Sequence, residues 1–478
     1  MAKITFMGAG STVFAKNVLG DCICSEPLKG STLALYDIDS ERLADSVGML
    51  ENLNRNLHGG MTIEGYLGIS NRRAALDRAN YVVNAIQVGG YKPSTVIDFE
   101  IPKKYGLRQT IADTLGIGGI FRTLRTLPVM LDFAHDMEAV CPEAWLLNYT
   151  NPMAMHMLAI QRATSVRAVG LCHGVVNTAI TMRMLVAMKD IPESEIAAHF
   201  RRPYNSPERT AEWKRWWELG RDEHLSYSCA GINHMAAFLR FESGGRDLYP
   251  DLKQLLDLPY FNSLEPVRFD LLRWLGYFMT ETSSHSAEYL PYFLKNDAEI
   301  ASRSLRVAGY LEAVGLLAQE IEGLDRALQS GSPVVPEDYS LSVEYASRII
   351  NAIVTGKPFV FNGNVQNRGG ALISNLPGDA CVEVPCVADS AGVTPTVIGD
   401  LPPQMAAMIR TNINVQDLAV RGILENSKDF LYQAAMLDPN TASSLTLSQI
   451  KALMDAMFEA HGGNLSPDLR FRGTCHFE

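Results

Sequence analysis

Two short stretches of the sequence hold residues that could bind a metal ion or act as a nucleophile. In "LCHGVVN", Cys172 and His173 follow an apolar run, and in "GINHM" His234 follows a second one. A lone cysteine could be a metal ligand, a reactive thiol or a packed residue at the end of a strand. One thiolate and one imidazole are too few for a structural zinc site, which four ligands close. Two protein ligands do suit a catalytic divalent ion, because they leave positions open for substrate oxygens.

Two further stretches bring together polar side chains that could contact a ligand. "TETSSHSAEYLPYF" crowds four such residues, although the same pattern is typical of a capped helix with an aromatic face: His285, Glu288, Tyr289 and Tyr292. The apolar run in "PEAWLLNYTNPMAM" ends in three polar residues, Asn148, Thr150 and Asn151. Ligands of open α/β sheets bind at the carboxyl ends of the strands. We therefore expect these asparagines to face a binding crevice.

The first residues have the pattern of a dinucleotide-binding turn. "KITFMGAGSTVF" predicts a short apolar strand, a turn at Gly8 and Gly10, and the start of a helix. Glycines let backbone N–H groups approach a pyrophosphate, and the helix N-terminus adds its positive dipole end. The match is incomplete, because Val13 occupies the third glycine position of G-x-G-x-x-G. A second strand, "STLALYDID", ends at Asp37, whose carboxylate would accept ribose hydroxyls and repel the extra phosphate of NADP. The sequence therefore favours NAD.

These elements predict an α/β fold. Buried runs such as "ANYVVNAIQVGG" and "SVRAVGLCHGV" fit the strands of a continuing parallel sheet. We predict a Rossmann-like, doubly wound NAD-binding domain over residues 1–195. Residues 196–478 are expected to form a mixed α+β domain for substrate, metal and oligomer contacts. That part contains a polar, tryptophan-rich insertion at 201–224 and helical stretches at 303–328 and 402–427.

Composition limits the class of protein. The chain has 478 residues, 47% of them hydrophobic, with 42 basic and 53 acidic residues and a net charge of −11. An acidic chain without a basic run is a poor match for nucleic acid or an anionic membrane as a partner. The eight cysteines are spaced irregularly, unlike a disulfide framework, and no apolar run reaches the ~18–20 residues that span a bilayer. We expect a soluble cytoplasmic protein with no signal peptide before its first strand.

Taken together, the quoted stretches resemble glycoside hydrolase family 4. The similarity follows the family's order from residue 8 to residue 386 and includes "QTIADTLGIGGIFRTLRT", "LLNYTNPMAM", "GLCHGV", "GINHM", "DLYPDL" and "NLPGDACVEVPC". The resemblance implies two cofactors, NAD and a divalent metal ion (commonly Mn²⁺), and a small-molecule α-glycoside as substrate. It also implies a mechanism that oxidises C3 of the sugar, removes the C2 proton, eliminates the aglycone, adds water and re-reduces C3.

The resemblance assigns roles to residues at matching positions. Cys172 and His234 match the metal ligands. Tyr289 matches the base that removes the C2 proton, and with an ordinary pKa near ~10 it would need help from the metal ion or another cation. His173 lies where the family has its candidate general acid. The residues expected to bind the sugar are Asp113, Asn151 and His285. Those expected to contact the nucleotide are Gly8, Gly10, Ser11, Thr12, Asp37 and Asn148.

The expected branch of the family is the bacterial α-galactosidases. Ser283 together with Tyr289 matches that branch, because glucuronidase- and glucosidase-like members have an aspartate base at the position of Ser283. Two features depart from it. The motif Cys-His-Gly replaces the usual Cys-His-Ser and resembles the α-glucuronidase branch. The insertion also carries basic residues that could face an anionic sugar, or lie in a solvated lid or an oligomer contact: Arg201, Arg202, Lys214 and Arg215.

Three alternatives stay open from the sequence. An α-glucuronidase or another α-hexosidase would share the mechanism. A lactate- or malate-type dehydrogenase would share the nucleotide turn and the expected architecture, but it would accumulate NADH and would need no pairing of Cys172 with His234. A non-enzymatic NAD-binding sensor would have no turnover and would keep ligand binding in Cys172→Ser. Family resemblance further predicts a homodimer or homotetramer.

Overall fold

The computed structural model describes residues 1–202, 206–258, 264–311, 313–314 and 339–466, together with Leu469 and Phe471. For Thr12, Val13 and Phe200 it describes the backbone and not the side chain. Most of the helical stretch predicted at 303–328 lies outside the described residues.

The described strands form one mixed sheet. Its strands are β1 Lys3–Met7, β2 Thr32–Asp37, β3 Thr62–Leu67, β4 Tyr81–Asn84, β5 Trp145–Asn148, β6 Arg167–Leu171, β7 Leu225–Ile232, β8 Met235–Ser243, β9 Arg246–Asp247, β10 Phe359–Gln366, β11 Cys381–Asp389 and β12 Gly392–Pro395.

The sheet begins with the strand order of a doubly wound nucleotide-binding fold. Strands β3-β2-β1-β4-β5-β6 are neighbours in that order, and all five pairings are parallel. Strand β10 joins β6 in the antiparallel sense, and β11, β7, β8 and β9 follow, with β12 beside β11. The predicted Rossmann-like α/β fold is therefore confirmed. Because one sheet continues past residue 195, the division into two domains at that point stays a prediction.

Helices cover the sheet and connect its strands. They are α1 Thr12–Ile23, α2 Ser40–Asn56, α3 Arg72–Leu76, α4 Val96–Lys104, α5 Gly116–Val140, α6 Met153–Ala163, α7 Gly174–Met188, α8 Glu193–Arg201, α9 Pro207–Gly220, α10 Tyr249–Gln254, α11 Pro266–Leu275, α12 Ser283–Glu288, α13 Asp297–Ser302, α14 Ala346–Thr355, α15 Pro403–Leu424, α16 Lys428–Leu437, α17 Pro439–Ser444 and α18 Leu447–His461. Among the described residues, no helix combines the length and the apolar character needed to cross a membrane.

The tryptophan-rich insertion packs against the rest of the molecule. Helix α9 lies on α7, and Trp216 is fully buried in a hydrophobic cluster with side chains of α7 and β8. Trp217 packs against the same cluster, and Trp213 stacks on the His199 ring at 6.2 Å. Trp216 and Trp217 therefore serve as packing residues, whereas Trp213 is exposed.

Candidate functional site

The site forms where several strands and loops end on the same edge of the sheet. Cys172 follows β6, and Asn151 follows β5 by three residues. His234 lies in the tight turn between β7 and β8. Asp113 lies in the loop before α5, and Tyr289 comes directly after α12. Parallel strands end at a common edge, so residues far apart in sequence meet there.

Three potential metal donors converge at this edge. Sγ of Cys172 lies 3.3 Å from Nε2 of His234 and 3.5 Å from Oε1 of Glu281. Nε2 of His234 lies 3.7 Å from the same Glu281 oxygen. The backbone N–H of Gly174 donates to the Cys172 sulfur at 3.3 Å, which favours a thiolate. A thiolate, an imidazole and a carboxylate suit a divalent transition metal ion.

A chain of hydrogen bonds behind His234 fixes the orientation of its ring. Nδ1 of His234 lies 3.0 Å from Oγ1 of Thr114, and that hydroxyl donates to Oδ1 of Asp113 at 2.7 Å. Asn151 donates from its amide to the other Asp113 oxygen at 3.4 Å. With its hydroxyl proton given to Asp113, Thr114 accepts the Nδ1–H of His234. The imidazole therefore keeps the lone pair of Nε2 towards Cys172, as metal ligation by histidine requires.

Tyr289 and His285 line the same space. The Tyr289 hydroxyl lies 3.4 Å from Nδ1 of His234, and its side chain is 1% exposed. Burial, with Asp113 and Glu288 close by, raises the pKa of Tyr289 well above its ordinary value, so the hydroxyl is protonated at neutral pH. The His285 ring lies 5.1 Å from the His234 ring, and burial lowers the pKa of His285. His285 is therefore neutral at pH 7 and can accept or donate a hydrogen bond.

The imidazole of His173 forms a hydrogen bond away from the three donor atoms around Cys172. Its Nδ1 lies 2.9 Å from Oε1 of Glu344, and this hydrogen bond raises the pKa of His173. The carboxylate is buried, whereas the imidazole side chain is 46% exposed. The segment that carries Glu344 is tied to α1, because Asp21 accepts the backbone N–H and the hydroxyl of Ser342. The buried carboxylate favours the protonated form of His173, and the exposed imidazole in that form suits a general acid.

The carboxylates around the site differ in protonation. Burial alone would raise the pKa of Glu281, but His234, His285 and His173 together lower it to about 2. Burial, with a smaller contribution from the charge of Glu281, raises the pKa of Glu383 to about 8, so this second carboxyl group is largely neutral at pH 7. Burial, Glu281 and Glu383 also raise the pKa of Cys172 well above its ordinary value, so the free thiol keeps its proton. A thiolate at this position needs a cation beside it.

The predicted nucleotide site has the geometry of a narrow backbone cradle. A Cβ built on Gly8, where φ is +87°, would lie 2.9 Å from the backbone of Ile86. A Cβ built on Gly10 would lie 2.9 Å from Oδ2 of Asp37, which accepts the Gly10 N–H at 2.6 Å. Ser11 is the residue before α1. Only glycine allows this close approach, so the two glycine positions have a steric reason.

Thr12 and Asn148 are two further predicted nucleotide contacts. The side chain of Thr12 lies outside the described residues. Asn148 is fully buried, and its amide accepts from Asn84 at 2.8 Å and donates to the backbone of Thr150 at 3.2 Å. Its side chain braces the ends of β4 and β5, and a direct contact with the nucleotide stays a prediction.

Two of the four basic residues of the insertion pair with carboxylates on the surface. Arg202 forms a salt bridge with Glu212, which also lies 2.9 Å from Nδ1 of His199. Arg215 pairs with Glu195 at 2.6 Å. Arg201 and Lys214 are exposed. These contacts agree with a solvated pair of helices, the less specific of the two interpretations of this charge pattern.

Sequence reasoning missed several residues that the structure brings to the site. They are Thr114, Glu281, Glu344 and Glu383. Thr114, Glu281 and Glu383 lie inside segments that carried the family resemblance, but nothing in their spacing distinguished them from neighbouring polar residues. Glu288, one of the four polar residues crowded in "TETSSHSAEYLPYF", has a carboxylate that accepts the backbone N–H groups of Thr110, Ile111 and Ala112. A carboxylate engaged in this way is a structural anchor.

Comparison with known proteins shows the family to which the chain belongs. The sequence model described as family 4 glycosyl hydrolase matches residues 3–188, and the model of that family's C-terminal domain matches residues 229–441. The chain belongs to the family 4 glycosyl hydrolases. The predicted family resemblance is confirmed, and with it the general class of glycoside hydrolase.

Individual relatives of this family 4 enzyme cover nearly the whole chain. An α-galactosidase of Bacillus subtilis is 46% identical over 463 residues, which is 97% of this chain and 98% of the relative. An α-galactosidase of Rhizobium meliloti is 32% identical over 473 residues, 96% of this chain and 88% of the relative. A crystal structure of a 6-phospho-α-glucosidase from gut microorganisms, in complex with NAD and Mn²⁺, has a TM-score of 0.76 at 19% identity and covers 97% and 99% of the two chains. The last likeness shows a shared fold.

Proposed function

We propose that this family 4 glycosyl hydrolase is an α-galactosidase that depends on NAD and on a divalent metal ion, most simply Mn²⁺. The observation that carries the proposal is the 3.3 Å approach of Cys172 Sγ to His234 Nε2, beside Tyr289, Asp113 and Asn151. The 46% identity to an α-galactosidase over 97% of the chain supports galactose as the sugar.

The residues present fit both cofactors. The cradle at Gly8 and Gly10 leaves backbone N–H groups and the start of α1 for a pyrophosphate, and the carboxylate of Asp37 favours NAD over NADP. Cys172 and His234 would hold the metal ion, with His234 already oriented by Thr114. When bound, NAD⁺ accepts and returns a hydride, and the metal ion stabilises negative charge on sugar oxygens as a Lewis acid.

The protein's own residues then supply binding and proton transfer. The proposed reaction is oxidation at C3, deprotonation at C2, elimination of the aglycone, addition of water and re-reduction. Asn151 and Asp113 would hold the sugar hydroxyls near C3, with His285 as a further hydrogen-bonding group. Tyr289 would remove the C2 proton, and because its pKa is raised in the free protein it depends on a neighbouring cation to do so. His173 would donate the proton that the leaving oxygen needs.

The charges around the site favour a neutral sugar over an anionic one. Arg202 and Arg215, which could have faced a glucuronide carboxylate, are paired with Glu212 and Glu195. The ionised carboxylate of Glu281 would add unfavourable charge next to an anionic ring. An α-glucuronidase is therefore the second candidate, favoured only by the Cys-His-Gly motif.

We further propose that the enzyme works in the cytoplasm as a homodimer or homotetramer. The described cysteines, from Cys22 to Cys386, are all free thiols, which suits a reducing compartment. Sedimentation equilibrium of the purified protein would measure the oligomeric state, and a monomer at micromolar concentration would contradict this part of the proposal.

The proposed function is tested by release of p-nitrophenol from its α-galactoside and its α-glucuronide, each with and without NAD⁺ and Mn²⁺, in deuterated water. We expect cleavage of the galactoside that needs both additions, with deuterium incorporated at C2. Cleavage of the glucuronide alone would support the same mechanism and would contradict galactose as the sugar. Failure with both, with NADH accumulating on another substrate, would indicate a dehydrogenase and refute the proposal.

Tyr289→Phe provides a matched variant for this assay. It removes only the phenolic oxygen, so turnover is expected to be lost while NAD⁺ affinity stays nearly unchanged. Full activity in Tyr289→Phe would move the base role to another residue, with His285 as the nearest candidate.

A further inference from the structure

Gly174 is the residue at which Cys-His-Gly replaces Cys-His-Ser, and it lies against the side chain of Glu281. A Cβ built on Gly174 would lie 1.4 Å from Oε1 of Glu281 and 2.5 Å from its carboxyl carbon. Two non-bonded heavy atoms cannot approach so closely, so any side chain at position 174 would displace this carboxylate. Glycine at 174 thus provides the space in which Glu281 reaches Cys172.

The Glu281 oxygen in that space completes a triangle of donor atoms. The three edges are 3.3 Å from Cys172 to His234, 3.5 Å from Cys172 to Glu281, and 3.7 Å from His234 to Glu281. A single point about 2 Å from all three atoms follows from these edges, and bonds of about 2.0–2.3 Å are usual for sulfur, nitrogen and oxygen donors on a divalent metal ion. The three atoms are spaced as ligands of one ion.

The backbone around Glu281 holds the carboxylate in this direction. Glu281 has φ of +66°, in the left-handed region that side chains other than glycine rarely adopt. Its N–H donates to Oγ1 of Thr178 at 3.1 Å, and Thr178 lies one turn after Gly174 on α7. Helix α7 therefore both leaves room for the carboxylate and anchors its backbone. Left-handed conformations of this kind persist where surrounding contacts enforce them, often at functional sites.

We propose that Glu281 is a third protein ligand of the catalytic metal ion, and that Gly174 admits it. The inference rests on the proposed function, because it takes Cys172 and His234 as the other two ligands. A carboxylate oxygen adds a hard, negatively charged donor that favours Mn²⁺ over softer ions. Three protein donors leave the remaining coordination positions of the ion for the sugar oxygens. A relative with serine at position 174 would lack this arrangement of the glutamate.

The test is the affinity of the NAD-bound, sugar-free protein for Mn²⁺, measured by electron paramagnetic resonance of the free ion. Glu281→Gln and Gly174→Ala are each expected to raise the Kd for Mn²⁺ at least about 10-fold. The double variant should bind Mn²⁺ no more weakly than the weaker-binding single variant, because both changes remove the same bond between Glu281 and the ion. Gly48→Ala is the matched control: it adds a Cβ within α2 where nothing lies within 4 Å, and its Kd should equal that of the parent.

An unchanged Kd in either single variant, or additive effects in the double variant, would overturn the proposal. If the variants fail to fold, as judged by lost NAD⁺ binding, the unsubstituted protein still provides a test. Broadening of the Mn²⁺ signal by ¹⁷O-labelled water counts the bound waters: an octahedral ion keeps three with three protein donors and four with two. Four waters would overturn the proposal. These measurements need no sugar, so loss of the proposed galactosidase activity would leave their outcome unaffected.

Discussion

Glu288 is expected to control the active-site loop without touching the substrate. Its carboxylate accepts the N–H groups of Thr110, Ile111 and Ala112 at 2.8, 2.6 and 2.9 Å, and the Thr110 hydroxyl at 2.9 Å. These residues immediately precede Asp113 and Thr114, the pair that orients His234. Ala112 has φ of +55°, so the turn needs these bonds to offset an unfavourable backbone conformation.

The substitution Glu288→Gln keeps the shape of the side chain and changes its hydrogen bonding. The amide places an NH₂ group where a carboxylate oxygen accepted a backbone N–H. Burial raises the pKa of Glu288 to about 7, so above that pH the remaining bonds also lose their charge assistance. A buried N–H without an acceptor costs about 1–3 kcal/mol, and charge-assisted bonds are about twice as strong as neutral ones. We therefore expect about 3 kcal/mol of destabilisation. A loop shift of about 1 Å at Asp113 would lower kcat/KM about 100-fold.

Two measurements separate this positioning role from a general loss of stability. Urea unfolding gives the change in stability, and steady-state kinetics with the α-galactoside gives kcat/KM, with NAD⁺ affinity expected to stay within about 2-fold. The matched control is Asp222→Asn, because Asp222 also accepts a backbone N–H, that of His224 at 2.9 Å, and a hydroxyl, that of Ser243 at 2.6 Å, at the end of β7 opposite the His234 turn. The control should lose stability and keep kcat/KM. The reasoning would be refuted if Glu288→Gln were destabilised and yet kept kcat/KM within about 3-fold of the parent.

Three other substitutions test separate parts of the structure. The hydrogen bond that His173 donates to Glu344 raises the pKa of His173, so kcat/KM should fall as pH rises through that pKa. Glu344→Gln should move this fall to lower pH in a pH–rate profile, and an unchanged profile would remove His173 as the acid. Asp98→Asn leaves the guanidinium of Arg125, which is 1% exposed, without its charged partner. The free energy of unfolding in urea should fall by about 3–5 kcal/mol, and a variant as stable as the parent would contradict this. Asp37→Asn removes the charge that is expected to repel the extra phosphate of NADP. The ratio of NADP to NAD dissociation constants, measured by titration calorimetry, should fall at least about 10-fold, and an unchanged ratio would assign the selectivity to other residues.

Much of the fold followed from local patterns in the chain. The strand, glycine turn and helix at residues 3–23 are set by apolar runs and by two glycines, so neighbours in sequence suffice to predict them. Asp37 at the end of β2, and Cys172 after β6, were predicted for the same reason. The rule that ligands bind at the carboxyl ends of parallel strands then indicated one edge of the sheet as the site.

The remaining parts of the site depend on contacts between distant segments. Glu281 meets Cys172 across 109 residues, and Glu288 meets Ala112 across 176, whereas their immediate neighbours in sequence are ordinary helix and turn residues. The nucleotide turn and the strand ends that carry Cys172 and His234 could be predicted from the sequence, since each depends on short-range pattern or on residue type. Which carboxylate is a ligand candidate, which is an anchor and which is neutral depends on burial and neighbouring charge, and these arise only from contacts in the folded chain.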